Sequence, residues 1–188
     1  MSKKIIQYYL LKKIFNLFVE NQDQRYVLVK KNSNFPNLKT GSDLDLLVDD
    51  LSLFVRTVED YFSKKILINI NKLEKSETNI NLDFYYRKNL LYKLDLVSNL
   101  NNFKQLNNPS KFLDHMFENY TLFKYKFFYR KYAIKVPSES NDIIIRYLEF
   151  KKYPQKLHHY NFLKSKDSNL ITQINRDYKE YLNESISF

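Results

Sequence analysis

The chain of 188 residues contains no cysteine, no tryptophan, one glycine and four prolines. Without cysteine, neither a disulfide scaffold nor a thiolate metal site can form, and a cytoplasmic protein is the default expectation. A single glycine excludes the glycine-rich phosphate loops, and no HExxH or nucleophile elbow is present. No run approaches the ~18 uncharged apolar residues that a membrane span needs. The basic start Met1-Ser2-Lys3-Lys4 leads into an apolar pattern broken at Lys12 and Lys13. It therefore lacks the apolar region, and also the small-residue cleavage site, of a signal peptide.

What is present suits a folded core. Hydrophobic residues make up 44% of the chain and aromatic ones 16%, too many for a disordered segment. The length suits one mid-sized domain, or a compact core with a small helical extension. Lys and Arg total 31 against 21 Asp and Glu, a net charge of +10. Alanine occurs once, at Ala133, whereas Lys, Asn, Ile, Tyr and Phe are abundant. That trade, with one glycine where ordinary usage gives about 13, is a signature of an AT-rich genome. It weakens charge and the 16 tyrosines as signals of nucleic-acid binding.

Ile5, Ile6, Tyr9, Leu10, Ile14, Leu17 and Phe18 recur at helical spacing, which predicts an amphipathic helix over 3–20. Tyr26–Lys30 reads as a short strand, Lys31–Thr40 as a polar loop, and Leu44–Val48 as a central buried strand. Asp49 or Asp50 caps a helix over 51–64, and β-like runs follow at Ile66–Ile70, Ile80–Arg87 and Leu90–Val97. Beyond about residue 102 the pattern becomes mostly helical. One helix is marked by Phe112 to Tyr120, and others fall near 141–152, 155–164 and 168–184, the first capped by Ser140 or Asn141. Between them, Leu122–Phe128 and Tyr132–Val136 read as a hairpin turning at Arg130-Lys131. The expected class is α+β: a small mixed β-sheet flanked by helices over 1–102, with a mostly helical extension over 103–188 packed on it.

The sharpest feature is Gly41-Ser42-Asp43-Leu44-Asp45-Leu46-Leu47-Val48. On a strand, Asp43 and Asp45 share one face while Leu44 and Leu46 anchor the other. Two close carboxylates repel unless a hard cation such as Mg²⁺ neutralises them. Metals held by such a pair activate an attacking hydroxyl and stabilise a leaving pyrophosphate. The rival reading is a turn followed by an edge strand with solvated aspartates.

With its flanking elements, Gly41–Val48 resembles the G-S-D-h-D-h segment of the DNA polymerase β-like nucleotidyltransferases. These enzymes transfer a nucleoside monophosphate from an NTP to a hydroxyl or phosphate acceptor. The stretch VLVKKNSNFPN…GSDLDLLVD is similar to a branch often encoded with surface-polysaccharide genes, in which a basic-Asn loop ending in Pro replaces an earlier Gly-Ser pair. The resemblance implies two Mg²⁺ ions held by Asp43, Asp45 and a third carboxylate, which also serve as the catalytic residues. Asp95, in a repeat of the L-D-L pattern, is favoured over Asp83, which sits in the alternating run Asn81-Leu82-Asp83-Phe84-Tyr85 and is expected on a solvated face. Ser33, Lys31, Gly41 and Ser42 would contact the nucleotide, while Lys152 and Lys156 read first as ordinary solvated lysines, with phosphate contact as the alternative. The implied partners are an NTP and an acceptor such as a sugar or head-group precursor. Two other readings stand beside this one: a basic nucleic-acid-binding module, and a transferase-like domain without turnover. The adjacent His158-His159 pair is a poor metal-ligand set, since neighbouring helical residues diverge by about 100°, and His115, alone in the sequence, is expected to have a structural or surface role.

Overall fold

The computed structural model describes residues 3–29, 35, 38–63, 68–127 and 130–188. The chain divides into two units, Met1–Ser98 with Thr121–Val136 and Asn99–Tyr120 with Pro137–Phe188. The class is α+β, with a five-stranded mixed sheet, a two-stranded sheet and six helices among the described residues.

In the first unit, α1 (Lys3–Glu20) buries Ile6, Leu10, Leu11, Ile14, Phe15, Leu17 and Phe18. Each such side chain contributes about 1.5–3 kcal/mol of burial. Ile5 and Tyr9, expected on that stripe, are exposed instead, because Leu11 and Phe15 widen the buried face on its other side. The sheet comprises β1 (Tyr26–Val29), β2 (Ser42–Val48), β3 (Asn69–Ser76), β4 (Asn79–Tyr86) and β5 (Asn89–Val97), in the order β1-β2-β5-β4-β3. Between β2 and β3 lies α2 (Leu51–Ser63), capped by Asp50, whose Oδ1 accepts the Leu53 N–H at 2.8 Å. Strand β2 runs antiparallel to β1 and parallel to β5, and β3, β4 and β5 form an antiparallel meander. Leu44, Leu46 and Val48 join Leu82, Phe84, Leu94, Leu96 and the buried faces of α1 and α2 in one core.

Strand β3 departs from the expected run at 66–70, of which 66 and 67 lie outside the described residues. It continues through Asn71–Ser76, a polar stretch without β-periodicity, because it is an edge strand exposed along most of its length. The two-stranded sheet pairs β6 (Tyr120–Phe127) with β7 (Arg130–Pro137), so Arg130 and Lys131 belong to a strand and not to the turn. Tyr132, Ile134 and Val136 alternate into the first unit's core, with the Tyr132 ring 6.1 Å from Phe15. Phe123 meets Phe35 edge-on at 5.3 Å. Buried Lys135 donates to the carbonyls of Gln22 and Gln24 just beyond the end of α1, and burial lowers its pKa.

The second unit holds α3 (Pro109–Glu118), α4 (Glu139–Lys152), α5 (Leu157–Lys164) and α6 (Ser168–Asp177). Ser138, and not Ser140 or Asn141, caps α4, its side chain accepting the Asn141 N–H. The last helix stops well short of residue 184. Tyr178 closes it, and the following segment bonds to α3 and its lead-in: Leu182 bridges Leu106, and the Tyr181 hydroxyl lies 3.3 Å from His115 Nδ1. Among the described residues, no helix is long and apolar enough to cross a membrane.

Candidate functional site

The site begins at the chain's only glycine. Gly41 adopts φ +79°, a left-handed conformation costly for any residue with a Cβ, and its N–H reaches the Leu91 carbonyl at 2.7 Å. That turn feeds the chain into β2 beside β5. Ser42 then falls in the row of Leu44 and Leu46, on the sheet face opposite the aspartates.

Strand pairing places the carboxylates in two cross-strand rows on one face. Asp45 lies directly opposite Asp95, and Asp95 opposite Asn81. In the neighbouring row Asp43 lies opposite Lys93, and Lys93 opposite Asp83. Asp45 and Asp95 are thus nearest neighbours on adjacent strands, about 4.8 Å apart along the hydrogen-bonding direction. Asp43 is two residues along the same face, whereas Asp83 stands two strands from β2 with Lys93 between. Both candidate third carboxylates share the face of the DxD pair, but only Asp95 is on the strand adjoining it.

Burial separates these groups. Asp43 is exposed, and Asp45 and Asp95 are half-buried. Lys75 Nζ, from β3, reaches to 3.9 Å from Asp95 Oδ2. Asn81 and Asp83 are only 7% and 5% exposed, so the face expected to be solvated is buried at these two positions, opening only toward Tyr85 and Arg87. The Tyr85 hydroxyl donates to Asp83 Oδ2 at 3.4 Å, while Asp83 Oδ1 is buried without a hydrogen-bond partner among the described residues. Such a group is costly in an ordinary sheet.

Every candidate ligand on this face is a carboxylate or amide oxygen, the donor set of a hard divalent cation. As the side chains stand, no three His, Asp or Glu residues are gathered to hold a metal among the described residues. Lys31 and Ser33 lie outside the described residues. In the second unit, Lys152 rests over the rings of Phe103 and Tyr153, and Lys156 over Tyr153, 3.9 Å from Glu149. His159 is buried with Nε2 3.9 Å from the same carboxylate.

No protein-family model matches the chain, and no curated protein matches it. Among solved structures it is similar to the Megavirus polyadenylate synthase, with 12% sequence identity and a TM-score of 0.42. The likeness covers 97% of this chain but 36% of that one. So distant a likeness leaves the reading to the site's own residues.

Proposed function

We propose that the chain is a Mg²⁺-dependent nucleotidyltransferase, moving a nucleoside monophosphate from an NTP to an acceptor hydroxyl or phosphate. The observation that supports this reading best is the direct opposition of Asp45 and Asp95 across a parallel strand pair, with Asp43 on the same face. Three carboxylates there concentrate negative charge, which a divalent cation relieves better than the ammonium of Lys75. Asp43 and Asp45 would hold both metal ions, and Asp95 would share the one nearer the acceptor. Bound there, Mg²⁺ would supply charge neutralisation of the triphosphate and of the departing pyrophosphate.

The chain's own residues orient the acceptor oxygen in line with the α-phosphorus. A new oxygen–phosphorus bond forms as the bond to pyrophosphate breaks, and a hydroxyl acceptor gives up its proton to a carboxylate of this face or to water. Such chemistry rests on positioning and charge rather than on a nucleophilic side chain, which suits a face without histidine or cysteine. The sequence resemblance extends the reading to a sugar or head-group precursor as acceptor and to a role in surface-polysaccharide metabolism, with Gly41, Lys31 and Ser33 near the nucleotide. The Ser42 side chain, on the opposite face of the sheet, is left out of that set.

Thermal denaturation with each common NTP, with and without Mg²⁺, tests the reading. At about 100 times Kd, a ligand adds roughly 2.7 kcal/mol of stability. One NTP is expected to raise the melting temperature only with Mg²⁺, and Asp45→Asn is expected to abolish that response while leaving the apo protein at least as stable. A response that survives Asp45→Asn, needs no Mg²⁺ and fades with salt is lysine-mediated and refutes the assignment. No response to any NTP with Mg²⁺ or Mn²⁺ leaves a transferase-like domain without turnover.

A further inference from the structure

The net charge is unevenly divided. The first unit holds 21 basic and 12 acidic residues, the second 10 and 9. Nearly all of the +10 therefore belongs to one unit. A genomic preference for lysine acts on the whole chain and does not account for that asymmetry. More than half of the first unit's excess comes from Thr121–Val136, which has five basic residues and no acidic one.

The hairpin's geometry sorts these residues. Tyr132, Ile134 and Val136 face the core, as does the partly buried Phe123. Lys135 is committed to the carbonyls beyond α1. By strand alternation Leu122, Lys124 and Lys126 lie on the opposite face of β6, and all are exposed. On β7 Lys131 is exposed and points away from the core-facing row. Lys124, Lys126 and Lys131 form no ion pair among the described residues. The strand repeat sets Lys124 and Lys126 about 7 Å apart, a step close to that of successive phosphates on an extended strand. Leu122 is the exposed apolar group of this row, too little to insert into a bilayer.

We propose that the solvent face of the β6–β7 hairpin, through Lys124, Lys126 and Lys131, docks the phosphate backbone of a single-stranded nucleic acid. The surface needs neither metal nor NTP, so its test is independent of the transferase reading. The probe is a fluorescein-labelled oligouridylate of about 16 nucleotides, the upper site size of one small binding fold, followed by anisotropy across a salt series without Mg²⁺. The triple variant Lys124→Glu/Lys126→Glu/Lys131→Glu is expected to weaken binding at least about tenfold. It should also flatten the log–log salt slope by about 2, since each single-strand phosphate contact contributes about 0.7.

The control Lys104→Glu/Lys164→Glu/Lys179→Glu makes the same charge change at exposed positions of the second unit. It is expected to keep the wild-type slope. Equal losses in the two triples assign binding to overall charge and overturn the proposal, as does wild-type binding by the hairpin triple. Tighter binding to phosphatidylcholine–phosphatidylserine vesicles than to the oligonucleotide, lost in the same triple, overturns it in favour of a lipid surface. If the glutamates unfold the hairpin, the glutamine triple at the same positions reads the same slope, and an unchanged slope there refutes the docking surface.

Discussion

Tyr132→Ala tests whether the hairpin is a structural part of the first unit. The Tyr132 ring is 2% exposed and stands 6.1 Å from Phe15, itself fully buried on α1 between Phe18, Phe35 and Tyr132. Removing a buried aromatic ring costs about 3–5 kcal/mol, from lost transfer energy plus the cavity left behind. For a chain of this length that corresponds to a drop in melting temperature of about 6–20 °C. Because the chain has two units, one global transition is not assured, and hydrogen exchange resolved by peptide is the better assay. Protection of β2 and β5, which do not belong to the hairpin, is expected to fall by the full amount. A cycle with Phe15→Ala should show a coupling of about 0.5–1.5 kcal/mol for the ring pair. A loss below about 1 kcal/mol, or one confined to the amides of β6 and β7, would refute the reasoning and make the hairpin a dispensable flap.

Two further outcomes follow from the carboxylate face and the C-terminal segment. In the thermal assay Asp95→Asn is expected to abolish the Mg²⁺–NTP response. Asp83→Asn should keep it with unchanged or higher stability, since it neutralises a buried carboxylate whose Oδ1 has no hydrogen-bond partner among the described residues; the reverse pattern would make Asp83 the third ligand. His115 sits against Tyr178, Tyr181, Phe112 and Asn119, with Glu118 and Glu180 nearby, and burial outweighs those acids to lower its pKa below 6.5. Its contribution is therefore full above pH 6.5 and lost as pH falls through the folded-state value, because the unfolded chain takes the proton first. Exchange of residues 178–188, corrected for intrinsic rates, should rise between about pH 7.5 and pH 5, and His115→Phe should remove that rise; an identical rise in the variant rejects the role of His115.

The elements legible in the sequence are those whose burial is periodic. The apolar spacing of α1 and α2, and the continuous apolar run of β2, mark those elements to within a residue or two. Strand β3 is illegible beyond Ile70 because an edge strand takes its hydrogen bonds from one neighbour and buries little side-chain surface. The end of α6 is set by contacts with α3, 63 residues earlier in the case of His115 and Tyr178, which local spacing does not contain. For the site, alternation alone puts Asp43 and Asp45 on one face. The relation of Asp95 and Asp83 to that pair depends on strand order and register, which the L-D-L repeat that favours Asp95 does not itself contain. Burial of Asn81 and Asp83 was hidden for a related reason: strict polar alternation signals a solvated face only where that face of the sheet is open.

The discontinuity of the first unit governs the order in which it can be completed during synthesis. Its sheet is fully encoded by Ser98, but Tyr132, Ile134, Val136 and the Lys135 tether arrive only after all of α3 has been made. At about 5–20 residues per second, the 38 residues from Asn99 to Val136 take about 2–8 s. Through that interval the Phe15 ring lacks Tyr132 and the Tyr26 ring lacks the Lys135 ammonium that later sits over it, so this side of the core stays uncovered. A protein cut after Ser98 would be held permanently at that stage.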